Sequence, residues 1–98
     1  MLTNIKVTRA NINEGVKATP NKCPIANSLA SKFNKITYVS VLPDTTTITL
    51  MKNKKTVTYR ASTPKHAGNF IRKFDDGKLV KPIQIKFNFV KANLLSQV

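Results

Sequence analysis

No segment narrows the fold of this chain as sharply as "PIQIKFNFV" (82–90). Ile83, Ile85, Phe87 and Phe89 fall on one side of an extended backbone, and Gln84, Lys86 and Asn88 on the other. A strand of this kind has one face that meets water and one that needs an apolar layer over it, so the rest of the chain has to supply that cover. Ninety-eight residues suffice for two layers around one core and are too few for a core plus a separate catalytic domain.

Two segments have the spacing to provide the cover. In "CPIANSLASKF" Pro24 suits the first helical position, where its missing N–H costs no bond, and Ile25, Ala26, Leu29, Ala30 and Phe33 recur on one face. "STPKHAGNFIRKFDDG" repeats the grammar: Ser62 or Thr63 as cap, Pro64 in the first turn, Ala67, Phe70, Ile71 and Phe74 on one face, and Gly77 as the stop. Near the start, "NIKVT" (4–8) alternates like a short strand, Thr8 caps a brief helical turn "RANINE" that Gly15 ends, and residues 16–22 read as a loop. The centre holds "ITYVSV" (36–41), "TTITLM" (46–51) and "KTVTYR" (55–60), rich in β-branched and aromatic residues and separated by "LPDT" and "KNKK", which predicts consecutive antiparallel hairpins.

The expected architecture is therefore α+β in the order β-α-β-β-β-α-β. A mostly antiparallel sheet of four to five strands carries two helices on one face, with the Phe-rich side of the last strand against Phe33, Phe70 and Phe74. One domain spans residues 1–90. Residues 91–98, "KANLLSQV", form a tail whose Leu94, Leu95 and Val98 make it either a strap over the core or a segment that contacts a partner.

Charge points to the kind of partner. Seventeen Lys and Arg stand against four acids, Glu14, Asp44, Asp75 and Asp76, for a net charge of +13. Such a chain repels itself and is drawn to polyanions. The densest cations are Lys52, Lys54, Lys55 and Arg60 around the second hairpin, with Arg72 and Lys73 on the second long helix. Any one surface lysine is most simply solvated, but the total excess exceeds what solubility asks. No helix-turn-helix spacing and no RNP-like aromatic strand is present, and Tyr38 and Tyr59 are the only candidates for exposed stacking groups, so binding to nucleic acid is expected to ignore sequence. No run approaches the ~20 apolar residues of a membrane span, and "MLTNIKVTRANINEG" lacks the apolar centre of a signal peptide. A membrane is not among the expected partners.

The residues that carry chemistry are sparse. Cys23 is the only cysteine, so it makes no internal disulfide. A helix start and basic surroundings depress a thiol pKa, but nucleophilic catalysis also needs a positioned base, and the one histidine, His66, belongs to the other helix. Cysteine is among the residues most often buried, and the expectation is a structural thiol packed where the helix begins. One Cys and one His do not furnish the four ligands of a structural zinc site. His66, in the first turn of its helix, reads as solvated. Asp75 and Asp76 are adjacent, point about 100° apart on a helix, and belong to the turn with Gly77. Gly15, Gly68 and Gly77 form no phosphate loop. The reading is a non-enzymatic protein with no cofactor, no metal and no small-molecule substrate.

The succession "KVTRANINEG", "CPIANSL" and "NFIRKFDDGKLVKPIQIKFNF" resembles a group of small proteins widespread in bacteriophage genomes and some bacterial ones. Their pattern is roughly V-T, H-I-x-x-G, C-P-I-A and F-I-x-x-F-D-x-G. Asn11 stands where that pattern has His. The group has no established activity, so the resemblance implies a phage setting and nothing chemical, and the strong positive charge is this member's own. The leading expectation is an accessory virion protein that docks its basic surface on the acidic shell of a capsid or on other virion proteins. The alternative is a non-specific nucleic-acid-binding protein in the host cytoplasm during infection, or an inhibitor of a host nucleic-acid enzyme.

Overall fold

The computed structural model describes residues 1–92. The elements run β1 (Leu2–Val7), α1 (Arg9–Glu14), α2 (Pro24–Lys32), β2 (Ile36–Val41), β3 (Thr45–Lys52), β4 (Lys55–Ser62), α3 (Lys65–Asp75), β5 (Ile83–Asn88) and β6 (Val90–Lys91). The fold is α+β and every strand pairing among the described residues is antiparallel. The strands divide into two sheets rather than one, β1–β5 and β2–β3–β4–β6. β5 spends its ladder on β1, with Ile5 opposite Ile85, while two short turns build the other sheet from neighbouring segments. The chain crosses between the sheets at Phe89: the Phe89 N–H donates to the Met1 carbonyl, and three residues later the Ala92 N–H donates to the Thr58 carbonyl of β4. Lys91 and Ala92, the first residues of the expected tail, thus lie along β4. Leu94, Leu95 and Val98 fall outside the described residues.

Both sheets and both long helices turn their apolar sides to one core. It contains Ile5 and Val7 of β1, Ile25, Ala26 and Leu29 of α2, Ile48 and Leu50 of β3, Ala67, Phe70 and Ile71 of α3, and Ile85, Phe87 and Phe89. Phe87 and Phe89 stack with ring centroids 5.1 Å apart, a geometry favoured by their quadrupoles. Phe33 is only partly buried at the margin and Ala30 faces solvent, because α2 ends at Lys32 and its buried side is set by Ile25, Ala26 and Leu29.

Local chemistry explains the helix ends. Thr8 and Asn11 form a reciprocal capping box on α1: the Asn11 N–H donates to Thr8 Oγ1 at 3.1 Å, and the Thr8 N–H donates to Asn11 Oδ1 at 2.9 Å. Gly15 ends α1 because of close approach, since a Cβ there would meet Pro24 at 2.7 Å and Phe74 at 2.9 Å. Gly77, at φ +77, does supply a left-handed turn after α3. The expected cap of α3 is corrected: neither Ser62 nor Thr63 caps it, and Pro64 occupies that position with no side-chain bond. Thr63 is instead drawn inward, donating to the Leu42 carbonyl at 2.8 Å. Its one proton is used there, so in the buried 2.7 Å pair with Thr46 the donor is Thr46.

Candidate polyanion-binding groove

The wet side of the β1–β5 ribbon forms the floor of a groove. Register places Asn4 opposite Lys86 and Lys6 opposite Gln84, so four polar side chains share that face. Lys6 and Lys86 are diagonal neighbours, which puts the two residues about 7–8 Å apart with their Cβ atoms somewhat closer. Ser28 donates from Oγ to the Lys6 carbonyl at 2.9 Å and fixes α2 along β1, so that Ser31 and Lys32, one turn on, make a wall. On the other side His66 Nε2 lies 3.0 Å from the Gln84 carbonyl. A carbonyl only accepts, so Nε2 carries the proton. This bond fixes the start of α3 along β5, and His66 is not simply solvated as its sequence position implied. Thr8 and Asn11 close one end.

The groove is an open cleft of about 760 Å³, and none of the four acids lines it. Three lysines and a histidine therefore share a concave surface with amides and hydroxyls and, among the described residues, without counter-charge. Their mutual repulsion is relieved when an anion enters, and a recess concentrates their field more than a convex surface does. The lysines and the amide N–H groups of Asn4, Asn11 and Gln84 can donate to a phosphate or carboxylate oxygen, whereas the hydroxyl protons of Thr8, Ser28 and Ser31 are already given to Asn11 Oδ1, the Lys6 carbonyl and the Asn27 carbonyl.

The basic residues singled out from the sequence do not form one surface. Lys52 and Lys55 pair at the end of β3 and β4, and Lys54 sits with Asn53 in the two-residue turn between them, at φ 64 and 49. Lys52 Nζ donates to the Tyr59 hydroxyl at 2.7 Å and is 5.2 Å from the ring centroid. The nitrogen lies out beyond the phenol oxygen, so this is a hydrogen bond and not a cation over an aromatic face. Arg60 projects from β4 between Thr47 and Val90. Arg72 and Lys73 are exposed on α3, with Arg72 Nη1 3.4 Å from Asn69 Oδ1. α3 meets the opposite end of the sheet, where Gly68 lies against the Pro43 carbonyl. The length of β3 separates that end from the hairpin tip by roughly 23 Å at ~3.3 Å per residue.

Cys23 is the N-cap of α2 and accepts a hydrogen bond on Sγ from the Ala26 N–H at 3.4 Å. It is 3% exposed. Burial pushes its thiol pKa up, and the Ala26 and Ile25 N–H groups only partly offset this, while Asp75 adds to the rise. The helix start does not make a thiolate here. Cys23 lies among Val41, Ile71 and Asp75, while His66 is tied to β5. Asp75 uses Oδ1 to accept from the Ala18 N–H at 2.9 Å and so pins the 16–22 loop to the end of α3.

Lys6, Lys32, Lys86 and the role of His66 escaped the sequence reading. The alternation of "NIKVT" and "PIQIKFNFV" did place Lys6 and Lys86 on polar faces; what it lacked was the pairing of those two strands. No protein-family model, curated protein or solved structure matches the chain.

Proposed function

We propose that this is a non-enzymatic polyanion-binding protein whose partner is nucleic acid, held through its phosphates and without sequence reading. The observation that carries this reading is the groove, free of acids among the described residues, in which Lys6, Lys32 and Lys86 converge from three elements of a chain with net charge +13. Cations that converge on one recess suit phosphate oxygens, and neutral amides among them supply donors that cost no further repulsion. In the phage setting that the sequence pattern implies, such a protein acts on nucleic acid during infection in the host cytoplasm.

Docking on an acidic capsid shell is the competing proposal. It uses the same cations and adds Leu94, Leu95 and Val98, which lie outside the described residues. Two assays separate the two. Affinity for nucleic acid across a salt series is expected to fall with a log–log slope of about −2 for three phosphate contacts on a single strand. Truncation after Lys91 removes no Lys or Arg and is expected to leave that slope unchanged. No binding to nucleic acid, together with a fixed copy number in nuclease-treated particles that truncation abolishes, would transfer the function to the shell.

A further inference from the structure

Building on the nucleic-acid reading, we infer that the β1–β5 groove takes the sugar-phosphate chain of a single strand, with the bases turned outward, and discriminates against duplex.

The shape of the groove favours a single strand. A duplex is read by elements that protrude into its grooves or lie across its backbone, whereas an isolated strand is threaded through a recess lined with cations. Here the cations line the recess, and its volume of about 760 Å³ lies between α2 and the start of α3. A recess walled by two helices over a two-stranded floor accommodates one backbone more readily than the body of a rigid double helix.

The spacing of the lysines agrees. The diagonal pair Lys6 and Lys86 rise from neighbouring positions on one face, close enough for their long side chains to reach successive phosphates of one extended strand. Lys32 on the α2 wall is placed for a third contact, and the amides of Asn4 and Gln84 offer neutral donors to sugar and phosphate oxygens.

The groove also lacks stacking groups. Apart from the imidazole of His66, which is engaged with β5, no aromatic ring lines it. The most exposed tyrosine, Tyr38, is 54% exposed on β2 of the other sheet. With no stacking platform the bases contribute nothing, and affinity follows the backbone alone. This differs from the stacking grooves of most single-strand binders and has a sharp consequence: an abasic strand binds as well as a base-bearing one.

The experiment measures anisotropy of labelled oligonucleotides at low salt: oligo-dT, oligo-dA, an abasic deoxyribose-phosphate chain, and a duplex of equal length, with poly-glutamate as a carboxylate competitor. Wild type is compared with Lys6→Glu/Lys86→Glu and with Lys54→Glu/Lys55→Glu, which changes net charge equally at the hairpin tip. Expected are near-equal affinities for the three single strands, weaker binding of duplex, and a loss on the order of tenfold or more in the groove variant against little change in the hairpin variant. Should the glutamates unfold the protein, Lys6→Gln/Lys86→Gln serves in their place, with a smaller loss expected. Equal losses in the two variants, tighter binding of duplex, clear weakening on removal of the bases, or displacement by poly-glutamate at matched charge would overturn the inference. Duplex preference with a normal salt slope would still leave the nucleic-acid function standing; failure of wild type to bind any nucleic acid would remove that function itself.

Discussion

The hairpin tip and the β1–β5 groove are both basic, and they are built in opposite ways. At the tip, Lys52, Lys54 and Lys55 are near neighbours in sequence and spread away from a two-residue turn into solvent. Each keeps its own hydration, and Lys52 is already engaged by the Tyr59 hydroxyl. In the groove, Lys6, Lys32 and Lys86 come from distant parts of the chain. Their backbones are held together by the strand ladder and by the Ser28 bond to β1. Charge density along a sequence therefore says little about where a field is focused; convergence without counter-charge does.

The two regions also rest on different foundations, and this gives the largest expected effect. The groove floor lies over Ile85 and Phe87, 2% and 0% exposed, whereas Val57, near the tip, is only partly buried. Phe87→Ala should cost about 3–5 kcal/mol through lost burial and an unfilled cavity. Val57→Ala should cost about 1 kcal/mol or less. Urea unfolding of both variants checks this, and comparable losses would break the contrast between a load carried by the core and a solvated turn.

A smaller effect is expected at Thr63, which secures the chain leading into α3 and so the position of His66. Thr63→Val removes the acceptor of the buried Thr46 hydroxyl and the donor to the Leu42 carbonyl. The cost should be on the order of 1–3 kcal/mol, while Thr46→Val/Thr63→Val should recover part of it because one stranded hydroxyl is then gone. A double variant no better than the single would mean the pair contributes by shape rather than by its bond.

Cys23 tests the other groove wall, α2. Cys23→Ala should cost about 1 kcal/mol by losing the cap acceptor and buried contacts. Its pH dependence has a definite sign. The folded thiol pKa is raised by burial, so below the ordinary thiol pKa of about 8.5 both states are protonated and the full stability is present. As pH rises through the raised folded value, the unfolded state ionises first and stability is lost. Wild type should therefore lose more stability than Cys23→Ala above about pH 8.5. Parallel curves would mean that the thiol is not buried, and rapid labelling of native protein by a thiol reagent would agree with them.

The comparison also marks what was legible in the sequence. Local periodicity sufficed for the alternating β5, the three central strands, the buried face of α3 and the thiol at the head of α2, because each depends on neighbours within a few residues. The division into two sheets did not follow, since alternation tells which side of a strand is wet but not which strand lies beside it. β1 and β5 meet from the two ends of the described chain, and only their meeting turns two ordinary polar faces into a groove. Thr63 misled for a related reason: its position fits a cap, but a buried Thr46 offered a stronger demand on the same hydroxyl.

The smallest expected effect has the opposite sign and lies at the tip itself. Asn53 and Lys54 both have positive φ, the geometry of a turn whose twist matches that of the flanking strands and which favours Asn-Gly. A lysine pays a steric cost in that region that glycine does not. Lys54→Gly should therefore stabilise the hairpin by about 0.5–1 kcal/mol, less the extra entropy that glycine loses on folding. If the tip is a solvated turn, the same change should leave nucleic-acid affinity nearly untouched and lower the salt slope by far less than one contact. Thermal unfolding and the salt series on this one variant decide it. Greater stability with lost affinity would mean that the strained lysine is kept for binding, and the tip, not the groove, would then be the place where the polyanion sits.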